Sequence, residues 1–157
     1  MPRKRKRKWG KAVESEHYEI DIEDWEESYF FQINKTNRKF IPGDYWEHSG
    51  LILWGKIVSP TIKNASRVRI DIRGTPELDE HWKQETVDHP PQTIGWMAAR
   101  RDNILAMNCD IPSRSFQWIP AVVTSGKVRY ASISGTKLKW GQGRIFGISL
   151  STNREDE

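Results

Sequence analysis

From residue 17 to residue 151 the dominant repeat of apolar positions is two rather than three or four. Tyr18, Ile20 and Ile22 alternate with His17, Glu19, Asp21 and Glu23. Successive side chains on a strand point to opposite faces, so this stretch reads as a strand with one face in a core and the other in water. Residues 29–35 start apolar on both faces and then alternate, giving a second strand, and Asn37, Pro42, Gly43 and Asp44 punctuate the loop that follows. Residues 50–58 are apolar on both faces, the pattern of a strand covered on both sides or of one with a face reserved for contact. Val68, Ile70 and Ile72 alternate with Arg67, Arg69, Asp71 and Arg73. A slip of one residue there would bury three arginines at several kcal/mol each without partners, so the aliphatic residues are expected inside and the arginines outside.

Residues 93–99 and 103–109 read as a strand pair joined by Arg100, Arg101, Asp102 and Asn103. Residues 128–134, 137–140 and 144–151 read as three further strands, broken at Gly135 and at Gly141-Gln142-Gly143, which closes a hairpin. One helix is expected within 113–125. Ser113 can cap it, Phe116, Ile119, Val122 and Val123 fall near helical spacing, and Gly126 suits its end. Pro120 opposes a continuous helix, because an interior proline costs about 3 kcal/mol. Residues 75–92 are polar and carry Pro76, Pro90 and Pro91, a long loop with a short helical turn near 77–85. The sum is a mostly-β chain: a single antiparallel β-sandwich or partly closed barrel of about eight or nine strands, with at most one or two short helices. Strands do not alternate with helices, which argues against a parallel α/β sheet.

Charge divides the chain more sharply than hydropathy does. Residues 1–11 hold seven Lys/Arg and no acid, whereas residues 14–27 hold eight Asp/Glu and no Lys/Arg. Residues 111–154 hold seven basic residues and no acidic one. Arg3, Lys4, Arg5, Lys6, Arg7 and Lys8 are contiguous, and a block of like charges repels itself. We therefore divide the chain into a disordered basic arm (1–15), a β domain (16–152) and an acidic tail (153–157). The net charge is +4 overall, but the chain without its first eleven residues carries −3, so the arm accounts for the high isoelectric point.

No catalytic pattern emerges. There is no Walker or Rossmann glycine loop and no Gly-x-Ser-x-Gly elbow. Cys109, the one cysteine, lies inside an apolar strand and reads as a small core residue; a lone cysteine also forms no internal disulfide. His17, His48, His81 and His89 show no metal-ligand spacing. Asp24, Glu26 and Glu27 around Trp25 could flank a sugar ring, but an acidic run is ordinarily a solvated face. No enzyme activity, cofactor or metal is expected. No apolar run reaches the roughly 20 residues of a membrane helix and no apolar segment follows the basic start, so an intracellular site is expected, nuclear in a nucleated cell.

The positive features point to binding. The arm is the electrostatic footprint of a nucleic-acid partner, and Lys127, Arg129, Lys137, Lys139 and Arg144 could extend it over one face of the C-terminal strands. Arg67, Arg69 and Arg73 make a second candidate face. Eight tryptophans are many for 157 residues. Trp54, Trp96 and Trp140 lie in strand-like segments and are expected in the core, whereas Trp25, Trp46 and Trp82 lie in polar surroundings and could stack on bases or anchor an interface. A non-enzymatic module that associates with nucleic acid is the first expectation. A protein–protein module using exposed tryptophans is second, and a carbohydrate-binding sandwich third. The arm could equally screen the acidic segment that follows it.

Overall fold

The computed structural model describes residues 14–33, 45–75 and 93–154 together with Leu78, the side chains of residues 30–33 and 45–48 excepted. Seven strands form a closed barrel. They are β1 (Ser15–Ile33), β2 (Tyr45–Ser59), β3 (Arg67–Thr75), β4 (Gly95–Ala99), β5 (Ile104–Pro112), β6 (Tyr130–Thr136) and β7 (Gln142–Ser151). Around the wall the order is β1-β2-β3-β5-β4-β7-β6, and β6 returns to β1. The expected mostly-β fold is present as the barrel, not the sandwich. One neighbouring pair, β3 and β5, is parallel, with Arg67 opposite Ile104 and Thr75 opposite Pro112. The other six pairs are antiparallel. Full closure leaves the barrel wall without a free edge.

The alternation of β3 is realised as read: Val68, Ile70 and Ile72 are buried, and the arginines point outward. Their inward neighbours are Leu51 and Leu53 from β2 and Leu105, Met107 and Cys109 from β5, with Met97, Ile133 and Ile145 closing the core from β4, β6 and β7. Burial pushes the Cys109 thiol up to about 12, so it sits in the core as a neutral group. Strand pair β4–β5 forms as expected, and Asn103 takes a left-handed conformation (φ 66°) in its turn.

Three expectations need revision. What reads as two strands, 18–22 and 29–35, is one 19-residue strand with irregularities at Glu19/Ile20 and Ile22/Asp24. Its first part pairs with β6 and its later part pairs with β2 alone, making a two-stranded ribbon that continues to Ile33 opposite Tyr45. Residues 23–29 are exposed there, so no core side imposes a period on them. The helix expected over 113–125 is split into α1 (Ser113–Phe116) and α2 (Ile119–Thr124). Pro120 stands at the start of α2, where a missing N–H is harmless. Residues 137–140 are not a strand but the connection between β6 and β7, and together with the merged β1 this leaves seven strands among the described residues. Among the described residues no helix is long and apolar enough to cross a membrane.

Candidate nucleic-acid interface

One end of the barrel gathers four chain segments. They are the start of β1, the β2–β3 loop (60–66), the β4–β5 turn (100–103) and the β6–β7 connection (137–141). Hydrogen bonds tie them together. The Ala99 amide donates to the Gly141 carbonyl (2.7 Å), the Ser66 amide donates to Asn103 Oδ1 (3.2 Å), and Asn103 Nδ2 donates to Ser66 Oγ (2.7 Å). The exposed cations of this end are Lys63, Arg100, Arg101, Lys137, Lys139 and Arg144. Glu14, the first described residue, sits here, with its carboxylate 3.3 Å from Lys137 Nζ. The chain therefore enters the barrel from its basic N-terminal stretch at this end, where Asp102 is also exposed.

A groove of about 740 Å³ runs along this end, lined by Trp96, Lys137, Lys139 and Arg144 with Thr136, Leu138, Gln142 and Gly143. Among the described residues Glu14 is the one carboxylate that lines it. Register explains why these residues meet: Trp96 pairs with Arg144 and Ala98 with Gln142 across β4–β7. Strand alternation then puts Met97 inside and Trp96 outside, where half of its surface is exposed (50%). Beneath the groove, the buried Tyr18 hydroxyl donates to the Thr136 carbonyl (2.8 Å) and fixes the base of the hairpin. Burial and the neighbouring Glu16 charge raise the Tyr18 pKa, which keeps the phenol neutral and able to donate. The Arg144 amide donates to Thr136 Oγ1 (2.9 Å), and its guanidinium lies 5.9 Å from the Phe146 ring centre. Among the described residues neither Lys139 nor Arg144 has a carboxylate partner.

The sequence-derived cations divide between two places. Lys137, Lys139 and Arg144 share the groove, but Lys127 and Arg129 precede β6 and lie at the opposite end of that strand, roughly 20 Å away for seven residues at about 3.3 Å each. Arg129 there lines a hollow of about 350 Å³ together with Trp25, Asp21 and Glu23, a mixed-charge setting unsuited to a polyanion. The single basic face expected over the C-terminal strands is thus not formed. The arginines of β3 are neutralised in place: Arg67 meets Glu23 (2.9 Å), Arg69 meets Asp71 (3.3 Å) and lies over Trp54 (5.4 Å), and Arg73 meets Asp110 (3.2 Å). Arg3, Lys4, Arg5, Lys6, Arg7, Lys8 and Trp82 lie outside the described residues, as does the side chain of Trp46. Trp25 is exposed (41%), as expected.

None of the three tryptophans expected in the core lies there: Trp54 is half-buried on the outer face of β2 under Arg69, and two are exposed. Trp96 faces the groove, and Trp140 protrudes at the tip of the β6–β7 connection with 94% of its surface in water. In residues 93–99 both faces are apolar, so periodicity alone could not say whether Trp96 or Met97 points inward. For Trp140 a signal was present: it precedes Gly141, and reading that pair as the turn would have placed the indole at a tip. Lys63, Arg100 and Arg101 were missed because they stand in turns, where no strand pattern marks a face.

No group of three or more His, Cys, Asp or Glu that could hold a metal ion is found among the described residues. A hollow of about 190 Å³ at the other end is lined by apolar side chains, Ile72, Trp118, Val122 and Leu150 among them. Compared with protein-family models, curated proteins and solved structures, the chain matches none, so its reading rests on this geometry.

Proposed function

We propose that the chain is a non-enzymatic nucleic-acid-binding module whose phosphate contacts come from the basic arm and from Lys137, Lys139 and Arg144 in the groove. The observation that carries this reading is the convergence of three cations, an exposed indole and the attachment point of the arm at one end of the barrel. Counterion release from phosphates makes such binding strong at low salt and independent of sequence. The arm adds affinity because it extends the same positive field, while the groove fixes where the backbone runs. The second reading, a protein partner, is favoured by Trp118 and Val122, which rim the apolar hollow at the opposite end and are both exposed.

The test is a salt titration of binding to labelled DNA and RNA by the full chain and three variants. Neutralising Lys4, Arg5, Lys6 and Arg7 together should flatten the slope of log K against log salt by about three to four units. Replacing Lys137, Lys139 and Arg144 with alanine should flatten it by about two to three units. Replacing Lys127 and Arg129 should leave it unchanged. Absence of binding at low salt, or equal losses from the groove set and the Lys127/Arg129 pair, overturns the proposal and puts the protein-partner reading first.

A further inference from the structure

We infer that the groove takes single-stranded rather than duplex nucleic acid, with two non-adjacent bases stacking on Trp96 and Trp140. This deepens the nucleic-acid reading and rests on it. The argument starts from Trp140. The Lys139 amide donates to the Gln142 carbonyl (2.8 Å) and the Gln142 amide donates back to Lys139 (3.1 Å), which closes a two-residue hairpin turn on Trp140 and Gly141. Both turn residues have positive φ, 56° and 73°. Such turns favour Asn-Gly, because a bulky side chain in the left-handed region meets its own backbone. A tryptophan here is disfavoured twice, once by its backbone conformation and once by leaving 94% of its surface in water. The fold gains nothing from it, and residues held against local preference gather where function requires them.

Trp96 supplies the second platform. Across β4–β7 it pairs with Arg144 and across β4–β5 with Asn108, and half of the indole surface stays in water beside the Arg144 cation. The register also sets the spacing. Trp96 pairs with Arg144 and Ala98 with Gln142, so Trp140 lies two strand positions and the turn beyond the Trp96 row, on the order of 10 Å along the backbone. That distance is several times the 3.4 Å stacking step, so the two rings serve separate bases along one strand and do not clamp a single base. Lys137, Lys139 and Arg144 lie alongside and meet the phosphates. In a duplex the base faces are covered by their neighbours and only edges reach the grooves. An indole platform can be used only when bases are unpaired and splayed.

The experiment measures binding of the full chain to a fluorescently labelled oligothymidylate and to the matching thymidylate–adenylate duplex, with tryptophan fluorescence recorded in parallel. The single strand should bind at least about tenfold more tightly and quench the indole emission. Trp140→Asn should weaken single-strand binding by about 5- to 150-fold, the range for one stacked base. Duplex affinity and the salt slope should stay as they are, because the cations are untouched. The same substitution should raise the thermal midpoint, since Asn-Gly suits the turn, so weaker binding cannot be laid to unfolding. Trp96→Ala should weaken single-strand binding over the same range. If single strand and duplex bind equally and Trp140→Asn changes neither, the stacking inference falls while the nucleic-acid reading stands. If neither ligand binds at low salt, both fall.

Discussion

Ile70 offers the most direct measure of how the barrel is held. Its side chain is fully buried, and its register partners are Leu53 on β2 and Met107 on β5, both also fully buried. Ile70→Ala removes three carbons from the core, about 2.4 kcal/mol of transfer free energy at about 0.8 kcal/mol per methylene. The wall resists collapse into the space left, because β3 is hydrogen-bonded on both edges and the sheet closes on itself. A cavity contribution of about 1–2 kcal/mol therefore remains, giving a total of about 3–4 kcal/mol. The neighbouring Arg69→Ala removes a contact over Trp54 at 5.4 Å and an ion pair with Asp71 at 3.3 Å, with the Arg69 side chain about one third exposed. Those partly solvated interactions sum to about 1 kcal/mol. Urea unfolding with an unchanged m-value measures both, and thermal melting should show Ile70→Ala lowered by about 6–16 °C. Equal losses from the two substitutions, or an Ile70→Ala loss below about 1.5 kcal/mol, would refute the assignment of β3 to the barrel wall.

Two further outcomes follow from close packing. Gly95 lies where β4 meets β5, and a Cβ there would collide with the Asn108 carbonyl. Gly95→Ala should therefore destabilise the fold by about 1–3 kcal/mol, read by urea unfolding, and loss of less than about 0.5 kcal/mol would contradict the close approach. Cys109 gives a pH dependence. Its native pKa of about 12 lies above the ordinary thiol value of 9.0, so between these values the unfolded chain has lost a proton that the native chain keeps. Stability from this group is full below pH 9 and is lost as the pH rises towards 12. Cys109→Ala should abolish that part of the alkaline loss, seen as a narrowing difference between the two proteins in urea titrations across this range; a constant difference would contradict it.

Much of the wall was legible because the sequence marks which face of a strand is wet. The arginines of β3 left one orientation open, and the turn at Asn103 announced the β4–β5 pair. The ribbon half of β1 was not legible for the opposite reason: with residues 23–29 exposed, nothing forces a two-residue period, and the acidic run reads as an interruption. Strand order and the parallel β3–β5 pairing depend on contacts between distant segments, which local patterns do not encode. The site suffered from the same limit. The cations of 127–144 look like one group along the chain, yet β6 carries its two ends to opposite ends of the barrel. Trp140 was read by its apolar character, although the glycine after it governs its place.

The bond from Tyr18 to Thr136 closes the barrel across 118 residues of chain. Topologies dominated by such distant pairings fold in milliseconds to seconds, slowly for a domain of this size. During synthesis at about 5–20 residues per second, β1 would wait roughly 6–24 s before β6 emerges to cover it. Throughout that interval its open edge is a template for any other extended chain. The same stretch of β1 carries Glu16, Glu19 and Asp21, and like charges on a waiting edge repel a second copy of themselves. The acidic residues of β1 therefore oppose self-pairing of that edge for as long as it lacks β6.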